Sequence, residues 1–180
     1  MYGTSITQGG CANRPGMAYS NILSRRFPNE FINLGFSGNG KGEPELARLI
    51  GQIERPACLI LDYEANNPSP AHMERTLPAF IRIYREKHPI VPIVVLSQPR
   101  MSSDTFHADH REARSARLAV QARAVEELRQ AGDANVYFYD GGELFGRDFP
   151  ECTVDGSHPT DLGFQRMADR LTPILADILG

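Results

Sequence analysis

Short apolar runs alternate along this chain with segments whose apolar residues recur at helical spacing, and that alternation limits the folds open to it. Residues 58–61 (Cys-Leu-Ile-Leu) and 91–96 (Val-Pro-Ile-Val-Val-Leu) are apolar runs suited to strands buried on both faces. Residues 31–34 and 136–139 read as two more strands. Between them, residues 15–27, 45–53, 70–87, 112–131 and 161–179 carry helical periodicity. Pro44 is a good first-turn residue for the second helix, and His88-Pro89 stops the third. Residues 98–110 and 141–153 read as loops. Strands alternating with helices predict a parallel sheet covered on both faces, an α/β fold of three layers, and right-handed crossovers leave few topologies. In such sheets a site lies beyond the carboxyl ends of the strands.

Four polar blocks fall where that rule places a site. The first is Gly3-Thr4-Ser5-Ile6-Thr7-Gln8-Gly9-Gly10, in which glycines let the chain turn sharply around an exposed hydroxyl. Nearby backbone N–H groups could face an oxyanion or phosphate; taken alone, the stretch is equally a plain turn. Asn33-Leu34-Gly35-Phe36-Ser37-Gly38 and Glu64-Ala65-Asn66-Asn67 follow the second and third strands. Near the end, Asp155-Gly156-Ser157-His158 sets a carboxylate three residues before an imidazole. By itself that is a capped turn with a surface histidine. With a serine elsewhere, it supplies the base and the orienting acid of an activated nucleophile.

The four blocks, in this order, resemble those of the SGNH (GDSL) hydrolase superfamily, and the resemblance runs from Met1 to about Ala168. Ser5 falls on the family's serine, with Thr4 where the name motif has aspartate. Gly38 falls on the second-block glycine, Asn66 on the third-block asparagine, and Asp155 and His158 on the fifth-block pair. The third block departs from the usual Gly-x-Asn-Asp, which leaves Asn67 as an alternative to Asn66. The resemblance implies a flavodoxin-like sandwich with strand order 2-1-3-4-5. It also implies a serine esterase in which Ser5 attacks an ester carbonyl, His158 is the base and Asp155 orients it. The N–H groups of Ser5 and Gly38 and the Asn66 amide would hold the oxyanion. The opening block is similar to that of bacterial members acting on short acyl esters, acetylated sugars among them. A thioesterase or lysophospholipase is the near alternative, and a non-catalytic phosphate- or carbohydrate-binding module the distant one. Arg14, Glu64 and Asn67 flank the blocks and are candidate substrate contacts. The scheme calls for no metal and no cofactor.

With 180 residues, 41% of them apolar, the chain suits a single domain spanning 1–180. A net charge of −3 with both signs interspersed gives no footprint for nucleic acid or an anionic membrane. No apolar run approaches the roughly 18 residues of a membrane span. Three widely spaced cysteines, Cys11, Cys58 and Cys152, argue against a disulfide scaffold or a zinc site. Cys11 is near Ser5 in sequence and reads as a loop residue. Without a signal peptide the expected compartment is the cytoplasm, or the periplasm or exterior if residues precede Met1. Only Met1 and Tyr2 stand before Gly3, so the first strand is short for a central position. The expectation is a homo-oligomer that covers the resulting gap.

Overall fold

The computed structural model describes all of residues 1–180 and contains a five-stranded parallel sheet in the order β2-β1-β3-β4-β5. The strands are β1 (Tyr2–Gly3), β2 (Leu34–Gly35), β3 (Leu59–Asp62), β4 (Ile93–Leu96) and β5 (Val136–Tyr139). The helices are α1 (Ser5–Gln8), α2 (Tyr19–Ser24), α3 (Pro44–Ile50), α4 (Pro70–Arg85), α5 (Ser103–Phe106), α6 (Ala108–Gln130) and α7 (Asp161–Leu179).

The apolar runs work as two-faced strands. Leu59, Leu61, Ile93 and Val95 join one core with Met73, Leu77, Phe80 and Ile81 of α4 and Val120 and Val125 of α6. The alternate residues Ile60, Val94 and Leu96 join a second core with Leu23 of α2 and Phe164, Met167 and Leu171 of α7. Each such side chain, fully buried, stabilises the fold by about 1.5–3 kcal/mol.

Two residues suffice to make β1 a central strand. Tyr2 pairs with Leu34 on one side and Leu61 on the other, and Gly3 with Gly35 and Asp62. Tyr2 is fully buried, its ring 5.0 Å from that of Phe80. Its hydroxyl donates to Glu43 and accepts the Gly42 N–H at 2.8 Å. Burial and the Glu43 carboxylate push that phenol far above its ordinary range. Gly3 is required by contact, because a Cβ there would lie 1.9 Å from Thr7 Oγ1 and 2.4 Å from the Asp62 carbonyl oxygen. Before Tyr2, at the end of the sheet away from the loops, an apolar cavity of about 210 Å³ lies among Met1, Phe31, Leu34, Cys58, Ile60 and Tyr84.

Several local expectations change. The helix expected over 15–27 is a 3₁₀ turn, Pro15–Met17, followed by the shorter α2. Ala18 interrupts it with extended ψ (135°), packed so closely on Gly9 that a Cβ on that glycine would lie 2.6 Å from its own. The loop expected over 98–110 contains α5 and the first turn of α6. Asp104 organises it: its carboxylate accepts from the Met101 N–H and Arg114 Nε, and its carbonyl from Arg111. Residues 141–153 hold two 3₁₀ turns, Gly141–Glu143 and Phe149–Cys152, the first capped by Asp140.

Candidate active site

Ser5 is the first residue of α1, not the tip of an open turn. Thr4 is the N-cap, accepting from the Ile6 N–H, while Thr7 Oγ1 accepts the Thr4 N–H at 3.2 Å. Beneath this turn lies Asp62, whose Oδ2 accepts from Thr7 Oγ1 at 2.8 Å and Tyr19 Oη at 2.6 Å. Burial pushes the Asp62 carboxyl up to about 7, against those two hydrogen bonds, and the Glu64 carboxylate adds to the push. As the first helical residue, Ser5 has no intrahelical acceptor for its N–H.

The Asp155–His158 loop closes on itself and arrives over Ser5. The Val154 N–H donates to the His158 carbonyl at 2.8 Å, and the Thr160 N–H to the Cys152 carbonyl at 2.8 Å. The Ser103 N–H, on α5, donates to the Gly156 carbonyl at 3.1 Å and ties the loop to a helix the sequence did not reveal. Asp155 Oδ1 accepts the N–H groups of Ser157 (3.0 Å) and His158 (2.7 Å). Its Oδ2 lies 2.7 Å from His158 Nδ1, and His158 Nε2 lies 2.9 Å from Ser5 Oγ. An ionised carboxylate only accepts, so Nδ1 carries the imidazole proton and Nε2 is left as acceptor for the serine hydroxyl. Desolvation pushes Asp155 up, but its hydrogen bonds to the His158 backbone, the imidazole and Ser157 outweigh it and hold the carboxyl down at about 2.

On the other side of Ser5, the loop after β2 meets the loop after β3. Asn66 Nδ2 donates to the Phe36 carbonyl at 3.0 Å, which leaves the nitrogen's second proton free. Gly38, two residues on, has φ of +71°, the left-handed region that favours glycine. A Cβ on Gly38 would meet no atom within 4 Å; the residue is exposed and does not itself line the cleft that holds Ser5 and Asn66.

Ser5, Asn66 and His158 line one cleft of about 330 Å³, together with Gln98, Ser103, His110 and Arg117. Sequence reading missed these last four, which come from the segment read as a loop over 98–110 and from the helix read over 112–131. The three candidate substrate contacts lie elsewhere. Arg14 is exposed ahead of the 3₁₀ turn and does not line the cleft. Glu64 is fully buried, accepting from the Gln98 N–H at 2.8 Å and Gln121 Nε2 at 2.7 Å, with Arg117 Nε 3.4 Å away. Asn67 is buried and turned toward Met73 Sδ. Glu64 and Asn67 therefore brace the turn that carries Asn66 instead of facing a substrate. Cys11 is exposed, and its sulfur lies with ligand atoms of Asp155 and His158 within 4.8 Å of one another.

A sequence model of the GDSL-like lipase/acylhydrolase family matches residues 1–176. The chain belongs to that family. Its structure superposes on a GDSL-like lipase from Bacteroides ovatus with a TM-score of 0.93 at 41% identity, covering 99% of this chain and 52% of that one. It also superposes on a salicylyl-acyltransferase of a tetracycline biosynthetic pathway (TM-score 0.81, 25% identity, 98% and 53% coverage). A family two carbohydrate esterase from Clostridium thermocellum, at 18% identity, TM-score 0.76 and 99% and 63% coverage, shares the fold. The chain spans about half the length of the first two. No curated protein matches it in sequence.

Proposed function

We propose that this acylhydrolase is a serine esterase of short acyl esters, acetylated carbohydrates among them, working through an acyl-enzyme on Ser5. The observation that carries the reading is the unbroken hydrogen-bonded chain from Ser5 Oγ through His158 to Asp155. In this scheme His158 Nε2 takes the serine proton as Oγ attacks the carbonyl carbon, then returns it to the leaving alkoxide. Asp155, ionised far below neutrality, holds the ring orientation and stabilises the imidazolium. The N–H groups of Ser5 and Gly38 and the free Asn66 N–H receive the oxyanion, each donor worth about 3 kcal/mol in the transition state. Water then repeats the sequence and releases the acid.

The short-acyl preference rests on the cleft, only 4 of whose 13 lining residues are hydrophobic. A long alkyl chain would leave polar groups there desolvated and unpaired, which disfavours a lysophospholipase. Two structural neighbours support the carbohydrate part at the level of the fold: the Clostridium thermocellum enzyme and a two-domain esterase active on acetylated mannans. Hydrolysis of p-nitrophenyl acetate by the wild type and not by Ser5→Ala, with a fluorophosphonate probe labelling Ser5, is the expected result. Turnover retained in Ser5→Ala would refute the mechanism, and kcat/KM rising steadily to decanoate would refute the acyl preference.

A further inference from the structure

The lining of the cleft contains an arginine that the scheme above does not use. Arg117, on α6, has a side chain only 14% exposed. Its Nε lies 3.4 Å from Glu64 Oε1, yet neither of these buried atoms has a hydrogen-bond partner. Neighbouring charged groups are differently placed. Arg114 donates its Nε to Asp104 Oδ2 at 3.0 Å. That same Asp104 oxygen also takes the Met101 N–H, and Glu64 Oε2 takes the Gln98 N–H and the Gln121 amide. Asp104 Oδ2 and Glu64 Oε2 thus have their donors; Arg117 pairs with Glu64 in charge, yet its guanidinium, which lines the cleft, makes no hydrogen bond.

A guanidinium carries five N–H donors and no acceptor. Glu64 lies behind Arg117, fully buried, and fixes it in position without closing a hydrogen bond to Nε. His110 stands on the same wall of the cleft, toward solvent. A hydroxyl entering here would bring a donor as well as an acceptor, and the one carboxylate oxygen without a donor, Glu64 Oε1, is buried beside Arg117 Nε. A carboxylate brings acceptors only, and its two oxygens match the planar fork of an arginine.

The geometry points to a carboxylate-binding subsite at Arg117: the ester hydrolysed at Ser5 carries a carboxylate on the part that lies against α6. This rests on the esterase reading of the same cleft. The carboxylate belongs either to the acyl group, as in a dicarboxylic half-ester, or to the alcohol, as in an acylated hydroxy acid.

Two matched substrate pairs test it and separate the two sources. p-Nitrophenyl hemiglutarate against p-nitrophenyl valerate places the charge on the acyl side. 4-Acetoxybenzoate against its methyl ester places it on the alcohol side. Wild type is expected to favour the charged member of one pair by at least about tenfold in kcat/KM, chiefly through KM. Arg117→Met brings that ratio to about one. Because it leaves Glu64 buried without its partner, the charge-neutral pair Glu64→Gln/Arg117→Met is measured beside it with the same expectation. Ratios near one for wild type on both pairs overturn the subsite; if neutral esters are still cleaved and Ser5 still labelled by a fluorophosphonate, the esterase reading stands. A wild type that neither cleaves any of the four esters nor labels at Ser5 overturns both. A preference that persists in both variants assigns the recognition to another group and overturns the role of Arg117.

Discussion

Asp62 should make the stability of this protein fall as pH rises through the weakly acidic range. Its carboxyl is 3% exposed, and burial pushes it from 3.8 to about 7. An acid whose pKa is higher in the folded chain than in the unfolded one binds its proton more tightly when folded. The stability it supports is therefore complete below about pH 3.8 and is lost as pH climbs toward 7. At about 1.4 kcal/mol per pH unit, the loss across that window comes to about 4 kcal/mol, a large share of the roughly 5–15 kcal/mol that holds a domain folded. Asp62→Asn removes the titration and keeps an oxygen able to accept from both Thr7 and Tyr19. Urea denaturation of wild type and variant at pH 4.5, 5.5, 6.5 and 7.5, followed by circular dichroism, isolates the effect as a difference. The variant should gain on the wild type by about 1 kcal/mol per pH unit over that range. A difference that stays flat, or that moves toward the wild type as pH rises, would refute the reasoning.

Asn66→Ala should lower kcat by roughly 10²–10³ with little change in KM, because the amide acts on charge that develops in the transition state; Asn67→Ala should instead show mainly in the melting temperature, and the reverse pattern would reassign the oxyanion donor. Gly38→Ala clashes with nothing in the protein, so its folding cost should be confined to about 1–2 kcal/mol of left-handed backbone strain, and a fall in kcat beyond that cost would support the role proposed for its N–H. Asp155→Asn should reduce kcat by on the order of 10³–10⁴, and since the native carboxyl is held at about 2, wild-type activity should show no inflection from this group between pH 4 and 9. The apolar cavity before Tyr2 leads us to propose a homo-oligomer, checked by light scattering; a monodisperse monomer with a high unfolding midpoint would refute it.

What the sequence determined by itself is what neighbouring residues decide among themselves. The apolar runs at Leu59–Asp62 and Ile93–Leu96 could only be strands covered on both faces, and the helical spacing of Met73, Leu77 and Phe80 could only present one side of α4 to them. Once the strands were parallel, the loops carrying Ser5, Gly38, Asn66 and His158 had to gather at one edge, so the residues proposed for catalysis were legible without coordinates. Even there the reading depended on a motif for each block, and Asn66 was separated from Asn67 only by where each side chain points. The tertiary structure decided what depends on partners far away in the chain. Glu64 beside the third block looks like a substrate contact, and only Gln121, 57 residues later, together with Gln98 and Arg117, shows it to be buried. Asp62 ends an apolar run like any strand-terminal acid until Tyr19 and Thr7 close over it. Arg117 lies in a helix dense with charge, where nothing in the local pattern separates it from Arg114 or Arg123. A buried polar group is stable only when other groups satisfy it. Those groups are chosen by how the layers pack, and spacing along the chain does not encode them.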